Sequence, residues 1–332
     1  MTPPDGDGHR DRKTALIVFG IIEVLFGAFC LLMIPIMVAG LVMGSHGASG
    51  FPYSVVILNA VGSYGTVAVV FIWLGIGSIL CRRWARALWL CLTACWLCAG
   101  VIGCFAIASM ASNFGQMALP PGQPPPSPEV MHLIRMITVV FAFVFYVVIP
   151  GALFLFYRSP NVKRTCEERD PVERWTDRCP LPVLALSLIV GAGAFVVLVL
   201  GATYGMIPLF GTVVLGAAGR VFILVFAGIL AYLAVGLYRL KLRAWWFALG
   251  LYLFIGISNA VTLLSGDMGD LYTRMGFDSR TAAAAEKLSA AGGFRWLGII
   301  SLFPWFIWLL YIRRFFPRRP DRPEAKSEWT TG

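Results

Sequence analysis

Apolar residues in this chain come in long unbroken blocks, with neither the alternation of a half-buried strand nor the single stripe of a surface helix. Eight blocks stand out: Thr14 to Leu41, Ser54 to Leu80, Ala85 to Ala111, Met131 to Tyr157, Leu181 to Gly205, Val214 to Tyr238, Ala244 to Ser265 and Phe294 to Ile312. Each exceeds the ~18 residues that a helix needs to cross a bilayer core. Lipid offers no partner to a bare peptide group, so single-chain spans are helices or a closed barrel, and the lack of period-two alternation excludes the barrel. The pattern therefore predicts an all-α integral membrane protein with eight transmembrane helices.

Polar interruptions divide the chain into a tail (1–13), a first four-helix half (14–157), a linker with a short interfacial helix (158–180), a second four-helix half (181–312) and a basic tail (313–332). The halves resemble one another. "GIGSILCRRWARALW" joins the second and third blocks and "AVGLYRLKLRAWWFA" the sixth and seventh, with Gly77, Arg82 and Ala85 matching Gly236, Lys241 and Ala244 at an offset of 159 residues. Pro150 and Tyr157 match Pro304 and Tyr311 at an offset of 154. Four spans per half return the chain to its starting side, so a tandem repeat would be parallel, its copies related by an axis along the membrane normal.

Composition agrees with a lipid environment, since 58% of residues are hydrophobic and 13% charged, against about 25% charged in soluble domains. The net charge of +10 would suggest nucleic acid in a soluble protein, but its distribution removes that reading. Alternate loops receive 21 of the 27 Lys and Arg residues, leaving Arg135, Arg220, Arg274, Arg280, Lys287 and Arg295 for the other side. By the positive-inside rule both termini are cytoplasmic, in a cell (cytoplasmic) membrane of bacterial inner-membrane type. Arg10, Arg12 and Lys13 precede a first block too long for a signal-peptide core, so that block reads as a retained helix. Tryptophans at 84, 89, 175, 245, 246, 296 and 305 lie near block ends, where headgroup anchors are expected.

The linker "YRSPNVKRTCEERDPVERWTDRCPLPVL" is the most polar internal stretch. Asp170-Pro171-Val172-Glu173 carries the signature of a helix start, with an acid at the cap and proline at the first position. Cys166 and Cys179 lack the further Cys or His ligands of a zinc site, and Cys91, Cys95 and Cys98, on one helix face, read as small packing residues. No metal or cofactor is expected.

Chemistry inside the spans is sparse. Glu23 is the one carboxylate well within a block, and a neutral carboxyl at that depth could donate a hydrogen bond or carry a proton. Asn259, with Ser258, is a candidate interhelical hydrogen-bonding group, so Glu23 and Asn259 form the candidate intramembrane polar site. Ser127-Pro128-Glu129 reads as a helix cap that sets Glu129, His132 and Arg135 on one side, a candidate outer-mouth cluster. "DSRTAAAAEKLSAA" predicts an outer surface helix capped by Asp278 or Ser279.

Phosphate loops, H-E-x-x-H and G-x-S-x-G motifs and paired intramembrane carboxylates are all missing, which argues against an enzyme. The reading is a multi-pass membrane protein without catalytic activity, structural or accessory in role. Its partners are the lipid bilayer and a membrane-protein partner or a second copy, with no nucleic acid. The alternative is a carrier of a small solute or proton with Glu23 in its pathway.

Overall fold

The computed structural model describes residues 11–43, 53–110, 127–265, 267–277, 279–290 and 293–316. Its first four long helices are α1 (Lys13–Met43), α2 (Tyr53–Ile79), α3 (Arg83–Met110) and α4 (Pro128–Arg158). A short α5 (Pro160–Arg169) and a 3-10 turn (Trp175–Arg178) lead to α6 (Leu181–Tyr204). A hairpin, β1 (Ile207–Leu209) with β2 (Thr212–Val214), precedes α7 (Gly216–Tyr238) and α8 (Leu242–Ser265). The chain ends in α9 (Met268–Arg274), α10 (Ser279–Ala290), α11 (Gly293–Ile300) and α12 (Leu302–Ile312).

Among the described residues eight helical spans are long and apolar enough to cross a membrane, the eighth built from α11 and α12 together. The protein is thus a multi-pass membrane protein, helical apart from the one short hairpin among the described residues. Val69, Phe105, Phe141 and Leu155 are each at least 65% exposed, a surface suited to hydrocarbon and costly in water.

Because lipid is as apolar as leucine, helices in a bilayer associate through close contact and not through burial from water. The α1–α2 pair shows the consequence. A Cβ added to Gly20 would lie 2.7 Å from the Gly75 carbonyl oxygen, and one added to Gly75 would lie 2.8 Å from that of Gly20. Only glycine lets these backbones meet.

The α2–α3 and α7–α8 connections are built alike. Arg82 N donates to Gly77 O (2.9 Å) and Lys241 N to Gly236 O (3.0 Å), while Cys81 N and Leu240 N donate to Ser78 O and Leu237 O, each at 2.9 Å. Cys81 and Leu240 carry the turn at φ 52° and 53°, the left-handed residue that closes a Schellman motif. In both turns a Cβ on the preceding glycine, Gly77 or Gly236, would come within 2.6 Å of the alanine that follows, Ala85 or Ala244.

Proline shapes α4 and the eighth span. Pro150 has no N–H for the Tyr146 carbonyl, and the helix widens to a π turn over Val144–Val148. That carbonyl faces α3, where a Cβ on Gly100 would overlap it. In the eighth span the helix breaks at Ser301, three residues before Pro304, with Ser301 Oγ donating to Gly298 O at 2.7 Å. The Tyr252 hydroxyl donates to Leu302 O.

Two apolar cores result. Leu16, Leu74, Leu88, Trp89 and Tyr157 of the first four spans fill one together with Val162 of α5, while Leu184, Leu233, Leu237, Trp245, Leu309 and Ile312 fill the other. Trp89 and Trp245 are buried here and do not sit at the surface as anchors, and Trp245 Nε1 donates to Leu309 O at 2.9 Å. The predicted helix over "DSRTAAAAEKLSAA" is α10, and Asp278 lies outside the described residues.

The linker differs from its sequence reading. Its helix is α5, begun by Ser159-Pro160, and Asp170 stands at the C-terminal cap of α5 instead of opening a helix. Asp170 could have capped the amides after Pro171, but its carboxylate is taken by three arginines from two elements.

Candidate functional site

Glu23 is 3% exposed in the interior of the first four spans, about 15 Å along α1 from Lys13 at 1.5 Å per residue. The Tyr157 hydroxyl, from the last turn of α4, donates to Glu23 Oε1 at 2.8 Å. A phenol has one proton, so Ser78 Oγ of α2, 2.8 Å from the same hydroxyl, donates to it. Tyr157 itself is fully buried, stacked on Trp89 of α3 with ring centroids 5.8 Å apart and planes 9° from parallel. Its backbone carbonyl accepts from Arg86 Nε at 3.0 Å. One side chain therefore ties together α1, α2, α3 and α4.

The chain of donors is incomplete. Among the described residues the Trp89 indole N–H has no acceptor and Glu23 Oε2 has no donor. Buried groups of this kind cost free energy unless satisfied. Glu23 was visible in the sequence as the one deep carboxylate. Ser78, Trp89 and Tyr157 gave no such signal, because each also fits an ordinary apolar or small position.

A second polar assembly covers the end of the bundle where α1 begins and α4 stops. Asp170 is 2% exposed and accepts from Arg174 at 2.8 and 3.3 Å and from the Arg83 amide at 3.3 Å, with Arg82 at 3.5 Å. Arg83 also pairs with Asp177 at 3.5 Å, Arg169 with Asp11 at 3.2 Å, and the Arg12 amide donates to Thr165 Oγ1 at 3.1 Å. Residues 11–12, the α2–α3 turn and the linker thus meet on one face. Burial alone would raise the Asp170 pKa, but the Arg174 and Arg83 hydrogen bonds and the charges of Arg174 and Arg82 outweigh it and hold the carboxyl below its ordinary 3.8. Burial also pushes the Cys166 thiol up to about 12 and that of Cys179 up to about 11, so both are protonated at neutral pH.

The depressed Asp170 value fixes a pH dependence. Its contribution to stability is complete above pH 3.8 and is lost as the pH falls through the lower folded value. Asp170→Asn is expected to lower stability by about 1–2 kcal/mol at pH 7, limited by the solvent around Arg82 and Arg174. The deficit should shrink in acid. Unfolding curves in detergent at pH 7 and pH 3 check both statements.

No protein-family model matches this sequence, and comparison with curated proteins and with solved structures likewise gives no match. The geometry of the chain's own residues therefore carries the functional argument.

Asn259 does not join Glu23. It lies on α8 as an exposed residue and has no hydrogen bond among the described residues. Its neighbour Ser258 is the buried group, and Ser258 Oγ accepts from the Phe210 amide at 3.0 Å. Thr262 Oγ1, one turn on, accepts from the Gly211 amide at 2.9 Å. Phe210 and Gly211, at φ 49° and 78°, are the two central residues of the β1–β2 loop, the positive-φ pair that a two-residue hairpin requires. The polar positions of α8 thus hold a hairpin tip, not a neighbouring span.

The outer-mouth group keeps its predicted cap, Ser127 Oγ accepting from the Val130 amide at 3.5 Å. Glu129, His132 and Arg135 all lie exposed on α4, and no hydrogen bond or ion pair joins them among the described residues. Also among the described residues, no three His, Cys, Asp or Glu side chains gather as metal ligands.

Proposed function

We propose that this chain is a structural or accessory component of a cell membrane, without catalytic activity. The observation behind the reading is the engagement of Glu23: Tyr157, which donates to it, and Ser78 and Trp89, which bond and stack on Tyr157, all belong to the first four spans, so the deep carboxylate bonds helices of one set to each other. A site for a solute moving between two halves would draw on both. The uncovered Asn259 supports a contact with a further protein or a second copy, since an amide facing hydrocarbon gains from any partner that bonds it.

The matching turns at Cys81 and Leu240 support descent of the two halves from a parallel repeat. The gathering of Arg12, Arg82, Arg83 and the linker on one face supports a cytoplasmic placement of that face, with both termini, in an inner membrane of bacterial type.

A second reading, a proton or solute carrier, is favoured by one observation, the unpartnered Glu23 Oε2. Labelling separates the two. In a variant lacking the eight native cysteines, Glu23→Cys should resist small water-soluble thiol reagents from both sides of the membrane. Labelling that a solute protects would instead place position 23 in an aqueous pathway. Glu23→Gln, which keeps an acceptor for Tyr157, should retain near-native stability as a lock and would abolish proton movement in a carrier.

A further inference from the structure

Between the two sets of four spans, α3, α4, α6 and α12 line an open-sided cavity of about 370 Å³. Leu90, Ala94 and Cys98 follow one another along α3 as its floor, with Ala185 of α6 and Trp308 of α12 among the opposing residues. The floor is about 12 Å long, eight residues at 1.5 Å each. Its lining is apolar, with small side chains where a chain of methylenes would lie.

Charge enters at one end. Arg158, the last residue of α4, lines the cavity together with Leu181, the first residue of α6, and Tyr311, near the end of α12. All three mark the level at which spans end, which in a bilayer is the headgroup region. Arg158 is exposed and has no hydrogen bond or ion pair among the described residues. Arg314 does not line the cavity itself but sits on Tyr311, which does, its guanidinium 3.9 Å from the centroid of the Tyr311 ring and bonded to the Tyr311 hydroxyl. Among the described residues no carboxylate lines the cavity, so Arg158 at its edge and Arg314 beside it on Tyr311 form a cationic end to an apolar slot.

We propose that this cavity holds one anionic glycerophospholipid, its phosphate on Arg158 and Arg314 and one acyl chain along Leu90, Ala94 and Cys98. Guanidinium groups match phosphate oxygens in geometry and charge, and basic pockets between membrane helices recognise anionic headgroups. A zwitterionic lipid would set its own ammonium against the same arginines. The bound lipid would fill the gap between the two sets of spans and join them where their side chains leave space.

The test is native mass spectrometry of the delipidated full chain in detergent, titrated separately with phosphatidylglycerol and phosphatidylcholine. One phosphatidylglycerol should be retained with a preference of about tenfold or more over phosphatidylcholine. Arg158→Gln combined with Arg314→Gln should remove that preference, whereas Arg243→Gln, at the start of α8, should keep it. Ala94→Trp, which fills the floor, should lower retention of both lipids. Unchanged preference in the double variant would overturn the proposal, as would retention of a second copy or another protein that Ala94→Trp displaces. The double variant alters only exposed side chains, so its result stands even if Ala94→Trp does not fold.

Discussion

Tyr157→Ala should lower stability by about 3–5 kcal/mol, the range for removing a large aromatic ring from a packed interior. The ring is fully buried against Trp89 and meets Phe156 edge-on at 5.2 Å. Its loss leaves a void where four helices meet. The hydroxyl contributes separately. Without it Glu23 Oε1 loses its donor and Ser78 loses its acceptor, so Tyr157→Phe should cost about 1–2 kcal/mol, in keeping with the modest worth of single hydrogen bonds between membrane helices. Reversible unfolding in mixed micelles measures both variants. A Tyr157→Ala protein as stable as wild type would show that the Glu23 assembly does not hold the bundle.

The second large effect lies at the α1–α2 crossing. Gly20→Leu should cost about 3 kcal/mol or more, the upper range for overpacking, because the added carbon meets the backbone oxygen of Gly75 at 2.7 Å and the Ile79 amide nitrogen at 2.9 Å. A flexible side chain could yield, but backbone in two paired helices cannot. The consequence reaches the polar cluster, since Glu23 lies one turn from Gly20 and Ser78 one turn from Gly75, and Tyr157 bridges the two at 2.8 Å on each side. Gly20→Leu should therefore loosen the Glu23 assembly as well, read as faster labelling of a cysteine placed at position 23. Gly65→Ala on the same α2 supplies the contrast. It meets nothing within 4 Å and should leave stability unchanged or slightly higher.

These two sites show unequal legibility. The spans and the paired basic turns stand in the sequence because each rests on local physics: a hydropathic run long enough to cross lipid, or a short basic break between two such runs. Glu23 was equally visible, as a carboxylate at a depth where carboxylates are rare. Its partners were not. Tyr157 lies 134 residues from Glu23, and the depth at which one span's side chain meets another's depends on crossing points set by glycines in different helices.

Asn259 and Asp170 show two further limits. In a soluble helix an apolar stripe tells which face is buried, but in a bilayer both the protein-facing and lipid-facing sides are apolar. Sequence therefore marked Asn259 as polar within a span, while only the packing of α8 decided that Ser258 and Thr262 face the hairpin and Asn259 faces out. Asp170 followed the local rule for a helix start, but Arg82 and Arg83, some 87 residues earlier in the chain, drew its carboxylate to the end of α5. What the sequence determined by itself was the solvent, the number of spans and the turns between them, all consequences of short-range chemistry. What tertiary structure alone decided was which polar groups meet, because lipid leaves those few hydrogen bonds and close contacts, and no hydrophobic force, to choose the neighbours.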